Sequence, residues 1–342
     1  MQAITRLGID LAKNVFELCG VNSQGQVLLR KTMRRRDLSA FVANLPPLEV
    51  CMEACGGAHY WARQFKGMGH VVKIIPAQYV KPFVKSQKND QNDSLAITEA
   101  AARPTMHFVQ PKEIWQQDIQ SLHRIRSRLI AQSGELRNQL RGLLQEYGVC
   151  IGVGLSQFSK AIPAILEDST SELSESMRSS VEDLFKEYQL LLERKKLYDK
   201  KIKNIAGQNE LCKRLTEVPG VGYLTSTMFV AHIGNGSAFK NGRQVSASIG
   251  LVPRQRSTGG KTVLQGITKR GDTYLRGLLV HGARSMVRVA AKTPKELANT
   301  YQSKIKDMLD QKHMNKVVVA VANRNARVLL AMLKTGATYK VA

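Results

Sequence analysis

Two short stretches decide the fold: LGIDLAK at residues 7–13 and CMEACGG at residues 51–57. Each is an apolar run that closes on a carboxylate, Asp10 in the first and Glu53 in the second, before the chain turns into small residues. Such a run, bounded by turn residues, reads as a buried strand. Working outward, ITRLGID (4–10), NVFELCGVN (14–22) and QVLLRKTM (26–33) are strand-type, and VCMEA (50–54) and VVKIIPA (71–77) are two more. Helical spacing separates the later ones, around Leu38–Leu45 and His59–Met68. Three sequential strands, then helix, strand, helix, strand and helix, is an α/β order whose natural product is a mixed central sheet. If the first and fourth strands are neighbours, Asp10 and Glu53 project from one C-terminal edge.

A second pair of acids follows in KNDQNDSLAITEAAA (88–102), where Asp90 and Asp93 stand three apart as a helix begins and so share a face. Singly, each of the four acids has a plain reading as a turn former, an N-cap or a helix-start acid. Together they suit a hard cation. Mg2+ takes carboxylate oxygens, and a pair of such ions stabilises the attacking and leaving oxygens of a phosphodiester.

The rest of the composition fits a polyanionic partner. The 342 residues carry a formal charge of +24 and a pI near 10.0, far from the balance of an enzyme for small neutral metabolites. Residues 211–342 hold 22 Lys and Arg against 5 Asp and Glu, a net +17, so the main polyanion surface is expected there. Five cysteines without CxxC spacing argue against zinc and for a reducing compartment. No apolar run reaches the length of a membrane span and the N-terminus lacks signal-peptide character. A cytoplasmic, nucleoid-associated protein without a membrane partner is expected.

Length suggests two or three domains. From about residue 113 the pattern becomes long helices, with Leu122, Ile125, Leu129, Leu136 and Leu143 at one spacing and Val181, Leu184, Tyr188, Leu191, Tyr198, Ile202 and Ile205 at another. Two antiparallel helices joined by an irregular 149–178 region give a coiled-coil arm, with packing inside one chain or along a dimer seam both open. VPGVG (218–222) between helical runs resembles a helix-hairpin-helix turn, in which Gly220 and Gly222 let backbone amides approach a phosphate. Next comes RQRSTGGKTVLQGITKRGD (254–272), a cationic glycine-rich loop around adjacent hydroxyls, Ser257 and Thr258. Arg254, Arg256, Lys261, Lys269 and Arg270 supply charge for a phosphate. Arg276 sits where a phosphate clamp would help, although a helix cap or a salt bridge is an equal reading. His281, in an apolar helical run, reads as a core histidine.

The ordered set GID, MEACG, KNDQND, VPGVG, IGLVPRQRSTGGK and ITKRGDTYLRGLLVHGA resembles the DEDD transposases of insertion sequences, the family that includes guide-RNA-directed recombinases and is related to the pilin-gene invertase. The resemblance runs from residue 5 to about 335. It implies a RuvC-like, ribonuclease-H-type α/β domain over 1–110 with Asp10, Glu53, Asp90 and Asp93 as the Mg2+ ligands. It further implies a helical coiled-coil arm over 111–208 for assembly and RNA contact. A mainly α, basic transposase domain over 209–342 would carry a hydroxyl nucleophile that bonds covalently to a DNA phosphate. The implied partners are DNA at the element ends and target, a noncoding guide RNA, and other copies of the chain, as a dimer that pairs into a tetramer on DNA.

In some branches of that family the attacking serine stands immediately before glycine, whereas Thr258 precedes Gly259 here. Serine chemistry selects Ser257, because a β-branched hydroxyl is stiffer and more hindered; strict register selects Thr258. Two rival functions remain beside the recombinase. A hydrolytic junction nuclease would use the acids to activate water and keep cleaving without Ser257. A non-enzymatic nucleic-acid-binding relative would keep salt-sensitive binding alone.

Overall fold

The computed structural model describes residues 3–84 and 90–340, with the side chains of Asp90, Gln91 and Lys295 outside the described residues. The chain divides into two compact units, residues 1–114 and 115–342.

In the first unit the strands are β1 (Arg6–Asp10), β2 (Val15–Val21), β3 (Val27–Arg34), β4 (Glu49–Glu53) and β5 (Val71–Ile75). Helix α1 (Arg35–Ala43) precedes β4, α2 (Ala58–Gly67) precedes β5, and α3 (Ala77–Val80) and α4 (Asp90–Ala101) follow. The sheet order is β3-β2-β1-β4-β5. β2 pairs antiparallel with β1 and β3, while β1–β4 and β4–β5 are parallel. This is the mixed sheet that the strand order implies.

Side-chain alternation sorts the sheet into two faces. Leu7, Ile9, Val50 and Met52 pack with Trp61 and Phe65 of α2 on one side. Cys51 and Ile75 pack with Ala96, Ile97 and Ala100 of α4 on the other. α4 lies across β1, β2, β4 and β5. Its closest approach is at Gly8, where a Cβ would come within 2.5 Å of both the Ser94 carbonyl oxygen and Thr98 Cγ2. Only glycine leaves room for the helix at that point in the strand.

The second unit is helical: α5 (Ile114–Gln145), α6 (Leu155–Glu167), α7 (Glu175–Gln208), α8 (Glu210–Leu215), α9 (Tyr223–Ile233), α10 (Gly242–Ser248), α11 (Thr273–Lys292), α12 (Thr300–Gln311) and α13 (Met314–Thr335), with a β-hairpin of β6 (Pro253–Thr258) and β7 (Lys261–Ile267) between α10 and α11. Arg126 near the start of α5 donates to Asp199 near the end of α7 at 2.5 Å, so the two long helices run antiparallel. The region expected to be irregular holds α6, whose Phe158 and Ile162 are fully buried against Leu140, Leu144, Val181 and Tyr188. Leu144, rather than Leu143, faces that core. His281 is exposed, correcting its reading as a core histidine: α11 buries Leu275, Leu279, Ala283, Val287 and Ala290, and His281 falls off that stripe.

A polar knot ties the long helices to the C-terminal ones. His123 of α5 is buried between Thr227 Oγ1 of α9, 2.9 Å from Nε2, and Tyr274 Oη of α11, 3.1 Å from Nδ1. The Thr227 hydroxyl donates to the Tyr223 carbonyl at 2.7 Å, so it accepts from Nε2–H and leaves Nδ1 to accept from Tyr274. Asp199 accepts from Arg126 and, at 2.6 Å, from Lys195. Burial, reinforced by the nearby Arg126 charge, pulls the His123 pKa down to about 4.

Two outcomes follow from this packing. Gly8→Val should cost about 1–3 kcal/mol and lower the thermal midpoint of the first unit, while Gly67→Ala, where a Cβ meets nothing within 4 Å, should not; equal melts would refute the close approach. The unfolded chain binds a His123 proton near pH 6.5 and the folded one only near pH 4. Stability to urea should therefore fall as pH drops through that window, by at most about 3 kcal/mol, with a shallower slope in His123→Gln.

Candidate functional site

Two features merit assembly from their residues, one in each unit. In the first, the parallel register sets Ile9 opposite Met52, so Asp10 and Glu53 end adjacent strands side by side. By alternation both lie on the face that carries Gly8 and Cys51, under α4. Both are half-buried, and so is Asp93 in the first turn of α4. Asp90 opens that helix, but its side chain lies outside the described residues. The thiol of Cys55 registers the pair: partial burial, then the charges of Glu53 and Asp10, push its pKa up to about 11. Glu17 of β2 stands opposite Asp10 on this same face, and Glu49, a further acid on it, is held at the opposite strand end by Arg6 and Lys73, each at 2.7 Å. Among the described residues no three His, Cys, Asp or Glu side chains form a group able to hold an ion. The structure thus brings Asp10 and Glu53 together beneath α4 without closing a metal site.

The second feature is the segment expected to be a loop, which is a ribbon instead. β6 and β7 pair antiparallel, with Ser257 opposite Thr262 and Thr258 opposite Lys261. Gly259 and Gly260 turn the chain with φ of 55° and 76°, the doubly positive pattern of a two-residue hairpin turn whose twist matches that of the strands. Every residue of β6 is exposed. Consecutive residues of a strand point to opposite faces. Ser257 therefore shares its face with Gln255, Thr262 and Leu264, while Thr258 shares the other with Arg256 and Lys261. The Gln255 amide donates to Ser257 Oγ at 2.8 Å, which leaves the serine proton free to depart. Gln255 was not among the expected site residues; its position two before the serine on a strand was the available signal.

The ribbon's base is held rigidly. Thr268 N–H donates to the Val252 carbonyl at 2.8 Å and Lys269 N–H to the Gly250 carbonyl at 3.2 Å. Lys269 takes a left-handed φ of 55°, a conformation that non-glycine residues adopt only where their surroundings impose it. Lys269 and Arg270 are themselves exposed. Arg276 is not: it is 8% exposed, and its guanidinium donates to the Ile249 carbonyl at 2.9 Å, the Arg270 carbonyl at 2.8 Å and Thr273 Oγ1 at 3.0 Å. Arg276, open in the sequence between a phosphate clamp and a cap or salt bridge, is a buried brace for the base of the ribbon, its donors spent on backbone carbonyls.

VPGVG joins α8 to α9, a helix-hairpin-helix arrangement. Gly220 is packed rather than open: a Cβ there would lie 2.7 Å from the Gly282 carbonyl oxygen, and one on Gly282 would lie 1.8 Å from the Gly220 oxygen. Gly222 is the exposed N-cap of α9, with nothing within 4 Å of its Cβ position. Of the two glycines, Gly222 is the one that leaves helix-start amides open to a phosphate.

Known proteins resemble this chain in sequence. Residues 7–149 match a family model described as "Transposase", and residues 212–302 match one described as "Transposase IS116/IS110/IS902 family". The chain is 44% identical over 344 residues to the transposase for insertion sequence element IS1111A of Coxiella burnetii, covering 99% of this chain and 92% of that one. It is 40% identical over 338 residues to a probable family 20 transposase of Pseudomonas aeruginosa, at 98% and 99% coverage. A pilin gene-inverting protein of Moraxella lacunata is 24% identical over 274 residues, at 75% and 74%.

The brace can be tested apart from any activity. Arg276→Met should speed amide hydrogen exchange across 249–271 by at least about tenfold while exchange in α5 and α7 stays put. Unchanged exchange in the ribbon would show that Arg276 does not hold it.

Proposed function

The chain belongs to the transposase IS116/IS110/IS902 family, and from that premise we propose that it moves an insertion sequence by cutting and rejoining DNA through a covalent serine-phosphate bond. Transposition by an enzyme acting on DNA is what the family performs; the attacking group is the proposal. The observation that carries it is the exposed Ser257 hydroxyl, presented on a ribbon with a braced base and, among the described residues, bonded by Gln255. A serine with no packing duty on so basic a surface is available to a phosphate.

Ser257 Oγ attacks phosphorus; the Oγ–P bond forms as a P–O bond to one deoxyribose breaks, the serine proton leaves to a base or solvent, and the departing deoxyribose oxygen takes up a proton. Rejoining reverses these steps with a different deoxyribose hydroxyl, so no net hydrolysis occurs. Arg254, Arg256, Lys261, Lys269 and Arg270 are exposed on and beside the ribbon, Arg256 and Lys261 on the face of Thr258, and they hold the DNA phosphates against it. Thr258, on the opposite face, is the alternative nucleophile.

The first unit is read as a RuvC-like domain. The adjacent strand-end carboxylates of Asp10 and Glu53 offer the oxygen donors that Mg2+ takes, with Asp93 and Asp90 of α4 as the further ligands. Bound Mg2+ would supply Lewis-acid stabilisation of the attacking and leaving oxygens. Residues 111–208 are read as a coiled-coil arm for self-assembly. Exposed Leu190 and Leu197, one heptad apart on α7, support a seam between copies. The net +17 of residues 211–342 supports contact with DNA and with a noncoding guide RNA. No described helix is long and apolar enough to cross a membrane; work on the chromosome is the expected setting.

Strand-transfer assays with element-junction DNA, flanking RNA and Mg2+ test the reading. Asp10→Asn, Glu53→Gln and Ser257→Ala should each lower product by at least about a hundredfold, and Thr258→Ala by far less. Cleavage retained by Ser257→Ala would replace the recombinase with the hydrolytic nuclease, and retained cleavage in an acid variant would remove that acid from the metal site.

A further inference from the structure

Away from the ribbon, two adjoining cavities meet at Tyr301. One, of about 220 Å3, is lined by Pro219 of the glycine turn, Met286, Asn299, Gln302 and Tyr339, with Tyr301 as a shared wall. The other, of about 350 Å3, is lined by Tyr301, Lys304, Asp307, Met308 and Arg324. Tyr301 is only 7% exposed. Its ring stacks under the Arg324 guanidinium, 3.8 Å from ring centroid to Cζ. Tyr301 Oη and Arg324 Nη1 are both buried without a well-formed hydrogen bond, and each has the other as its neighbour. Buried polar groups in native proteins are almost always fully satisfied, so a loosely paired couple at one cavity wall has capacity left for a ligand.

The two lobes differ in chemistry. The smaller has aromatic rings and amides: Gln302 Oε1 accepts from the Asn299 backbone and Asn299 Oδ1 from Gln302 N–H, which turns the NH2 groups of both side chains over to other acceptors. The larger has two cations against the single carboxylate of Asp307, a net positive lobe. A flat heterocycle with polar edges suits the first, and a phosphate suits the second. The +17 of this region selects a nucleic-acid strand over a free anion as their source.

We propose that the paired cavities at Tyr301 hold one unstacked nucleotide of a nucleic-acid strand, its base against Tyr301 and Tyr339 and its phosphate at Lys304 and Arg324. Extrusion of a base into such a pocket costs unstacking energy, which aromatic stacking and edge hydrogen bonds offset. The site rests on the chain's acting on DNA and is independent of which hydroxyl attacks phosphorus. It lies beside Pro219, so a strand held by amides at the start of α9 has a base pocket next to it.

The test uses full-length protein carrying Ser257→Ala, so that loss of chemistry and loss of binding stay separate. Short single strands, one DNA and one RNA, each bearing a 5-iodouracil, are irradiated on the protein and the crosslinked peptide is mapped. The expected adduct falls on Tyr301 or Tyr339. Lys304→Glu and Arg324→Gln should each weaken strand binding by on the order of tenfold, whereas Lys312→Glu, on the exposed segment after α12, should do so much less. Crosslinking by the DNA strand identifies extruded DNA as the source; crosslinking by the RNA strand identifies guide RNA. Adducts confined to the ribbon or to other tyrosines, with unchanged affinity in the exposed Lys304→Glu variant, would overturn the site.

Discussion

The contact of α4 with β1 at Gly8 is the constraint on which the N-terminal unit turns. A helix lying that close to a strand needs a residue without a Cβ, and the space it takes fixes which face of the sheet the helix covers. Alternation then determines the rest: two residues after Gly8 along β1 comes Asp10, and two residues after Cys51 along β4 comes Glu53, both on the covered face. The parallel pairing of β1 with β4 places these ends side by side. Partial burial, then the charges of these two carboxylates, hold the Cys55 thiol above its usual range.

A different device governs the C-terminal unit. A two-stranded ribbon exposed on both sides has no core of its own and is at best marginally stable. Its geometry comes from below, from Arg276 bonded to the Ile249 and Arg270 carbonyls and from the left-handed turn at Lys269. The His123 knot does similar work at larger scale, joining α5 to α9 and α11 through one neutral imidazole that donates at one nitrogen and accepts at the other. Both are buried polar arrangements whose members are matched donor to acceptor, the condition under which such groups specify geometry instead of loosening it.

Much of this was legible in the residues and some was not, for physical reasons. The five strands of the sheet carry strong apolar runs, and the acids at two strand ends stand out because charge seldom closes a buried run by chance. VPGVG reads as a turn between helices because two glycines and a proline cannot continue either one. The ribbon was hidden because RQRST has no apolar alternation to betray a strand with both faces in water; its Gly259–Gly260 turn was the sole cue. The sequence leaves Arg276 open between a phosphate clamp and a cap or salt bridge, because burial of arginine depends on carbonyls brought in from Ile249 and Arg270, which no local pattern announces. His123, Thr227 and Tyr274 lie far apart in the chain, so their meeting emerges only from the packing of three helices. Helix α6 was obscured by Pro163 and by the glycines before it, although Phe158 and Ile162 keep helical spacing.

A serine on the exposed ribbon is proposed to bond to DNA, and a denaturing-gel search for a protein–DNA adduct tests this most directly, using the protein with its flanking RNA, Mg2+ and end-labelled element-junction DNA, followed by peptide mapping. A phosphodiester-linked adduct is expected on the peptide that holds residues 257 and 258, with fragmentation placing the linkage on Ser257. Cleaved DNA with free ends and no adduct would contradict it and leave the ribbon as a DNA-holding element alone.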